Sequence, residues 1–374
     1  MTSPEPIRLF HAAHSPEMEH AALEVLRSGQ IASGPKVAEF ESRFGELIGS
    51  PHVVCTSDMT SALVLALHLA GVKAGDEVLT LAYSCMSSNS PIALLGAKAV
   101  WVDIDPTTAS MSVADFKRAL SPRASAVMLY HVAGYPGPAA EIAALCRERG
   151  IAFIEDCNNA LGAAHYGAPV GRVGDFAVFS FYPNRQINAI EGAALVCPDA
   201  ATAERATRLR RFGIDTTTFR DSLGEINPQS DIPEIGWSAS FNHLNAAVGL
   251  QQIPRLEHRL ERTRLIATKL HQEVVGLARL RAVSPREGTQ PAYWAFLTLA
   301  DRRDELLAAL KSRGVHTSRL HHRNDDYSGF GAERRPLPGT DRFMNEVLAI
   351  PCGWWLCDDQ VTTLVEAIHA ECAA

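Results

Sequence analysis

Five side chains in this 374-residue sequence have the chemistry of catalytic groups: Cys85, His131, Asp156, Arg185 and Glu191. Arg185 sits in FSFYPNRQINAIEGAALV, Phe179 to Val196, an irregular stretch between two short apolar runs. A guanidinium keeps its proton in a protein and is a poor nucleophile, but its planar fork suits the oxygens of a carboxylate or phosphate. Asp156, His131 and Glu191 are groups able to give or take a proton, and Cys85 adds a thiol. Such a set can hold an anionic small molecule and move protons on it.

The elements that position these residues follow from the pattern. GDEVLTLA (75–82), KAVWVDID (98–105), SAVMLYHVAG (125–134), IAFIEDC (151–157) and DFAVFSF (175–181) read as strands. Helical stretches alternate with them: 62–70 after the polar turn TSDMTS, then 87–97, 113–120 and 139–149. Alternating strands and helices predict an α/β fold with a mostly parallel sheet covered on both faces. Ligand chemistry on such a sheet belongs at the strand C-termini, where His131, Asp156 and the Arg185 loop fall. From about residue 201 the pattern changes to arginine-rich helical stretches, 201–212 and 244–277. A short β/α unit follows: YWAFLTL, the helix DELLAALKSRG, a strand at VHTSRL and a closing helix at 358–370. The expected division is a large domain over 1–250, carrying the pocket, and a small C-terminal domain over 251–374.

Composition narrows the class. With 47% hydrophobic and 21% charged residues, and a net charge of −7 without a basic run, the chain reads as a globular protein binding neither nucleic acid nor membrane. MTSPEPIRLFHAAHS lacks the marks of a signal peptide, and no apolar run is long enough to span a bilayer, so a cytoplasmic location is expected. Eight scattered cysteines without a C-x-x-C read as reduced thiols. HHRNDD, 321–326, is ligand-like in composition but lacks paired spacing; it reads as a polar loop, and no metal site is expected.

The order of landmarks resembles the DegT/DnrJ/EryC1/StrS family of fold-type I pyridoxal phosphate (PLP) enzymes, mostly aminotransferases of nucleotide-linked keto-sugars. The segments that carry the likeness are GPKVAEFESRFGELIG, GVKAGDEVLTLAYSCMSS, GAKAVWVDIDPTTASM, LSPRASAVMLYHVAGYPG and GIAFIEDCNNALGAAHYGAPVGRVGDFAVFSFYP. The resemblance implies a fold-type I frame, a large domain plus a small C-terminal α/β domain, paired as a homodimer through the segment Ser240 to Ile253. Asp156 matches the carboxylate facing the pyridine nitrogen, Ser180 and Thr60 match phosphate-binding hydroxyls, and His131 and Gly134 are in place.

The departures are chemical, and they cluster. The family's Schiff-base lysine falls on Arg185, and none of the six lysines (Lys36, Lys73, Lys98, Lys117, Lys269, Lys311) lies at a matching position. The ring-stacking aromatic falls on Cys85. The small residue of the phosphate loop is Met59, preceded by the anion Asp58. Asn159 and Leu161 replace a glutamine and a histidine, and Ser238 and Ser240 replace an asparagine and an arginine.

Three readings follow. The first is an enzyme of sugar, nucleotide-sugar or natural-product biosynthesis that forms no internal aldimine: Arg185 binds the substrate's anion, and Asp156, His131, Glu191 or Cys85 does the chemistry. Asp58, Met59, Thr60, Asn158, Asn159, Ser180, Gln186, Asn188 and Ser238 would line the site, and no cofactor is bound covalently. The second keeps PLP or pyridoxamine phosphate, held non-covalently by Arg185. The third is a non-catalytic partner or binding protein. Arg185 is expected to pair with Asp156, Glu191 or an anionic ligand. The pair Trp354 and Trp355 is read either as a cap of the active-site mouth against a sugar or nucleotide, or as core packing.

Overall fold

The structure, a computed structural model, describes residues 5–331 and 334–372; residues 1–4 of the opening segment and 373–374 at the end of the expected C-terminal domain lie outside the described residues. The central sheet has seven strands: β1 (Val53–Thr56), β2 (Glu77–Leu81), β3 (Lys98–Val102), β4 (Ala124–Tyr130), β5 (Ala152–Asp156), β6 (Phe176–Ser180) and β7 (Ala193–Val196). Their spatial order is β1-β7-β6-β5-β4-β2-β3, and only β7 runs antiparallel to its neighbours. That reversal follows from the loop after β6, which turns the chain straight back into β7. The mostly parallel sheet expected from the alternation is therefore present.

The two-residue period of each strand splits its side chains between two faces. Val78, Met128, Ile154, Val178 and Leu195 pack on the helix Met59–Leu69. Leu79, Val127, Leu129 and Phe153 meet Phe116 and Ile142 of the helices Val113–Ala119 and Ala139–Arg149. At the other end of that face, Phe179 and Phe181 pack on Phe40 and Phe44 of the helix Lys36–Ile48. Strands buried on both faces read as apolar runs, which is why they were recognisable.

Register brings the functional ends together. Tyr130, the last residue of β4, pairs with Asp156, the last of β5, and Val178 of β6 lies opposite Asp156. Ser180 ends β6 at the same edge. The parallel strands thus deliver Tyr130, Asp156 and Ser180 to one rim.

The C-terminal part forms a three-stranded antiparallel sheet: β8 (Leu280–Ala282), β9 (Phe296–Ala300) and β10 (Val347–Ile350). Its core joins Phe296, Ile350, Leu270, Leu310 and Leu364 with Ile7 from the chain's start. Two expectations are corrected here. The stretch 244–277 is not one helix: it divides into His243–Leu250 and Leu256–Val274 around the 3-10 turn Ile253–Arg255. Pro254 lacks the N–H that would carry a helix through. VHTSRL forms no strand; Val315 and Ser318 make single bridges to Ile7 and Ala349. Among the described residues no helix is long and apolar enough to cross a membrane.

Candidate active site

A cavity of about 510 Å³ opens at the strand C-termini, with Asp58, Cys85, Asn158, Ser180, Arg185 and Glu191 in its wall. Arg185 is only 9% exposed. One Nη donates to Asn184 Oδ1, the other to Asn158 Oδ1 at 3.2 Å, and Nε has no partner among the described residues. The guanidinium lies 4.9 Å from the centre of the Trp294 ring, whose Nε1 donates to the Asn184 carbonyl at 2.9 Å. The tryptophan therefore holds both the cation and its loop. The expected ion pair with Asp156 or Glu191 is absent: among the described residues no carboxylate lies within 4 Å of this guanidinium. Burial pulls its pKa down, and nearby Tyr130, Cys85 and Asp156 push it back up. Amides and an aromatic face hold the cation in place without neutralising it.

At the opposite wall, the helix Met59–Leu69 points its N-terminus into the cavity. Unpaired N–H groups and the helix dipole make such an end an anion site. Asp58 fills it with its own carboxylate. Its Oδ1 accepts from Ser61 N at 2.8 Å, and its Oδ2 accepts the hydroxyls of Ser57 and Ser61 at 2.8 and 2.7 Å. Met59, beside it, is approached by the Ser87 hydroxyl at 3.8 Å from its sulfur, and the same hydroxyl reaches the Cys85 sulfur at 3.2 Å. PLP fits this arrangement poorly. A phosphate would meet a carboxylate at the helix end, no ring stands at Cys85 to stack on the pyridine, and none of the six lysines lines the cavity. One feature fits: Asp156 uses Oδ1 for Asn158, while its buried Oδ2 makes no well-formed hydrogen bond among the described residues, the Ser88 hydroxyl being near the carboxylate.

Three further groups at or behind the wall have shifted protonation. Asp156 is fully buried behind the wall and does not itself line the cavity, and burial raises its carboxyl above the ordinary aspartate value. Glu191, half-buried on the cavity wall, is also raised, first by burial and then by the negative charge of Asp58. His321 accompanies them, its Nε2 lying 3.3 Å from the Tyr130 hydroxyl. Burial and the neighbouring Arg185 charge push His321 down to about 4, so it is neutral at pH 7. The Tyr130 hydroxyl accepts from Asn159 Nδ2 at 2.7 Å.

Some expected site residues lie elsewhere. His131 is fully buried off the cavity wall, with Nε2 at 3.1 Å from Glu155 Oε2 and Nδ1 accepting from Gly137 N at 2.9 Å. Glu155 in turn takes the N–H groups of Gly171, Val173 and Gly174; burial pushes its pKa up, but His131 and these donors hold it below the usual value. His131 therefore locks a loop and is corrected from catalytic to structural. Gln186 and Asn188 also turn away, Gln186 toward the Asn159 carbonyl and Asn188 toward Ala13 and Gln252. Partners distant in sequence set both orientations, which local sequence does not reveal. Ser238 bridges Arg211 on an exposed segment and does not line the cavity within one chain. Trp354 and Trp355 line a different cavity. Thr60, Asn159 and Ser180 are in the wall as expected, beside Met59.

The wall also contains residues not foreseen: Ser87, Tyr182, Asn184, Trp294, Leu320 and His321. His321 belongs to the stretch read as a polar loop, and its neighbour His322 does behave that way, exposed and 2.8 Å from Asp326. No local signal separates the two; only the path of the chain past Tyr83 and Tyr130 does.

Comparison with known proteins agrees with this frame. The sugar aminotransferase CalS13 from Micromonospora echinospora is 32% identical, covers 97% of this chain and 99% of its own, and superposes with a TM-score of 0.92. AtS13 from Actinomadura melliaura is 32% identical over 99% of this chain and 100% of its own, with the same TM-score of 0.92. The aminotransferase TlmJ from Streptoalloteichus hindustanus is 31% identical over 98% of both chains, with a TM-score of 0.89. The profile of the DegT/DnrJ/EryC1/StrS aminotransferase family matches residues 13–369. With the sheet, the rim of Tyr130, Asp156 and Ser180, and this match over nearly its whole length, the chain belongs to the DegT/DnrJ/EryC1/StrS aminotransferase family.

Proposed function

We propose that this chain is an enzyme of sugar or natural-product biosynthesis that holds a small anionic metabolite on Arg185 and forms no Schiff base in its pocket. One observation carries this reading: a buried guanidinium with no carboxylate partner among the described residues faces a cavity of about 510 Å³. An unpaired buried cation is costly, and an anionic substrate group offsets that cost through two parallel N–H···O bonds. A carboxylate or phosphate of a sugar derivative has the right charge. Glu191, with its raised pKa, is the acid–base group for proton transfer on the bound molecule, because a pKa nearer neutrality serves both directions. Asp156 retains a proton more readily than a free aspartate and can donate it in a hydrogen bond.

A second reading keeps the cofactor of the relatives, held without a covalent bond. The Asp156 Oδ2, which makes no well-formed hydrogen bond among the described residues, favours it, since a pyridinium N–H would satisfy that atom. Asp58 at the helix end and Cys85 in the ring position count against it. Calorimetric titration with sugar phosphates, sugar acids and nucleotide-sugars, beside PLP and pyridoxamine phosphate, separates the two. The first reading expects an anionic sugar to bind wild-type protein and Arg185→Gln to lose it. Tight binding of PLP or pyridoxamine phosphate, with no anionic sugar bound, would replace it with the second.

A further inference from the structure

The proton-transfer groups of the Arg185 cavity leave one reactive side chain in its wall unused. Cys85 is a free, half-buried thiol at the N-cap of the helix Met86–Leu94. The Ser87 hydroxyl donates to its sulfur at 3.2 Å. Thr60, Ser180 and Tyr182 bring hydroxyls to the same wall, and no lysine lines it. At neutral pH a thiol is a far stronger nucleophile than these hydroxyls.

We propose that Cys85 is a catalytic nucleophile that captures an aldehyde or ketone carrying an anionic group, holding it as a reversible thiohemiacetal or thiohemiketal. This rests on the reading of Arg185 as the anion site, and it names the class of molecule held there. In the step, the sulfur forms a bond to the carbonyl carbon and the C=O π pair moves onto oxygen. The thiol proton ends on that oxygen, and Glu191 in the same wall is the group able to carry it. No oxidant or reductant is consumed, and reversal releases the carbonyl compound unchanged.

Two buried side chains with unsatisfied atoms say how such a molecule is held. Arg185 is 9% exposed, and its Nε has no partner among the described residues. The guanidinium lies near enough to Cys85 that a negative sulfur there supports its charge. A small molecule anchored on Arg185 by its anion therefore brings the neighbouring carbon to the thiol. Asn159 is 1% exposed and gives its Nδ2 to the Tyr130 hydroxyl at 2.7 Å. Its Oδ1 has no partner among the described residues, and a buried acceptor left this way costs free energy until a donor reaches it. A carbonyl oxygen cannot donate, whereas the hydroxyl formed by capture can. Asn159 Oδ1 thus favours the adduct over the free carbonyl, which is the differential binding that a covalent step requires.

The test uses full-length Cys357→Ser protein, in which Cys85 is the one cysteine that is not buried. Glyoxylate labelled at its aldehyde carbon is added and followed by carbon NMR. The expected result is a protein-bound resonance from a carbon bearing sulfur and hydroxyl, lost on dilution and absent when Cys85→Ser is added to this background. Glyceraldehyde 3-phosphate, run beside it, decides whether carboxylate or phosphate is the better anchor. Acetaldehyde controls for capture without an anchor. In Arg185→Gln, the ratio of glyoxylate to acetaldehyde affinity is expected to fall about tenfold, the scale of one charge-assisted hydrogen bond. The sugar titrations described above are repeated on the same samples. Failure of both anionic aldehydes to form an adduct, with anionic sugars still bound through Arg185, overturns the nucleophile and leaves the anion site standing. An Arg185-dependent adduct without sugar binding supports the capture and removes the sugar from the functional reading. An adduct whose affinity ratio is unchanged in folded Arg185→Gln protein overturns the proposal, because the anion would then not be the anchor.

Discussion

Among the departures from the family pattern, Arg185 and Asp58 carry charge, and they act in opposite senses. Arg185 adds a cation that asks for an anion, while Asp58 adds an anion where the relatives' cofactor phosphate would sit. Restoring the amine alone is therefore insufficient. Arg185→Lys is expected to weaken anionic-ligand binding, because an ammonium lacks the planar fork, and to give no aldimine absorbance with PLP. Adding Asp58→Ser retains a side-chain cap for Ser61 N and frees the helix end, so the double variant should bind PLP more tightly than Arg185→Lys. An aldimine in Arg185→Lys alone would mean that Asp58 does not block the phosphate. Asp156 gives a pH signature. Its folded pKa is raised, so the native state holds more protons than the unfolded chain just above the ordinary aspartate value of 3.8, and stability falls as pH rises through that window. Asp156→Asn removes the ionisation. The variant's stability relative to wild type should grow from pH 4 to pH 7, and urea midpoints that keep a constant difference would refute this.

The elements were legible where a single physical rule decided them. Strands buried on both faces read as apolar runs, and the helix Ala139–Arg149 lies where its composition and the Gly150 terminator put it. The break at Pro254 was equally visible in the residues, yet the apolar periodicity on both sides masked it. In the site, Asp58, Cys85, Ser180 and Arg185 follow strand or helix ends and could be placed by counting along the chain. Gln186 and Asn188 could not, because the loop 181–192 turns through conformations that only tertiary contacts fix. His321 and Trp294 come from the C-terminal part and reach the cavity through long-range packing that no local pattern encodes. The loop's return into β7 rests on Gly192, at φ +149°, where an added Cβ would sit 2.4 Å from the Phe241 ring. Gly192→Ala is expected to cost roughly 1–3 kcal/mol through backbone strain and overpacking, and to weaken ligand binding at Arg185 by shifting the loop. An unchanged urea midpoint would show that the loop tolerates the side chain.

At the scale of the whole molecule, the segment 211–238 leaves apolar side chains in water that a single chain has no means of covering. Leu223 is 84% exposed, Ile235 75%, Ile226 60% and Phe212 50%. Grouped exposed apolar residues of this kind mark an interaction surface more often than scattered ones do. The segment runs into residues tied to the site: Ser57 N donates to the Ala239 carbonyl at 2.9 Å, and Thr56, the last residue of β1, bridges Ser240. A second copy seated on this surface would bury the four side chains and close over the Asp58 wall of the cavity, in keeping with the homodimer expected from the resemblance. Sedimentation velocity at micromolar concentration is expected to give a dimer, and the double variant Leu223→Asp/Ile235→Asp a folded monomer. If the partner completes the pocket, that monomer also binds the Arg185 ligand more weakly while retaining its helical circular dichroism. A wild-type chain that sediments as a monomer would refute the pairing, and a monomeric variant with undiminished affinity would mean that each chain carries a complete site.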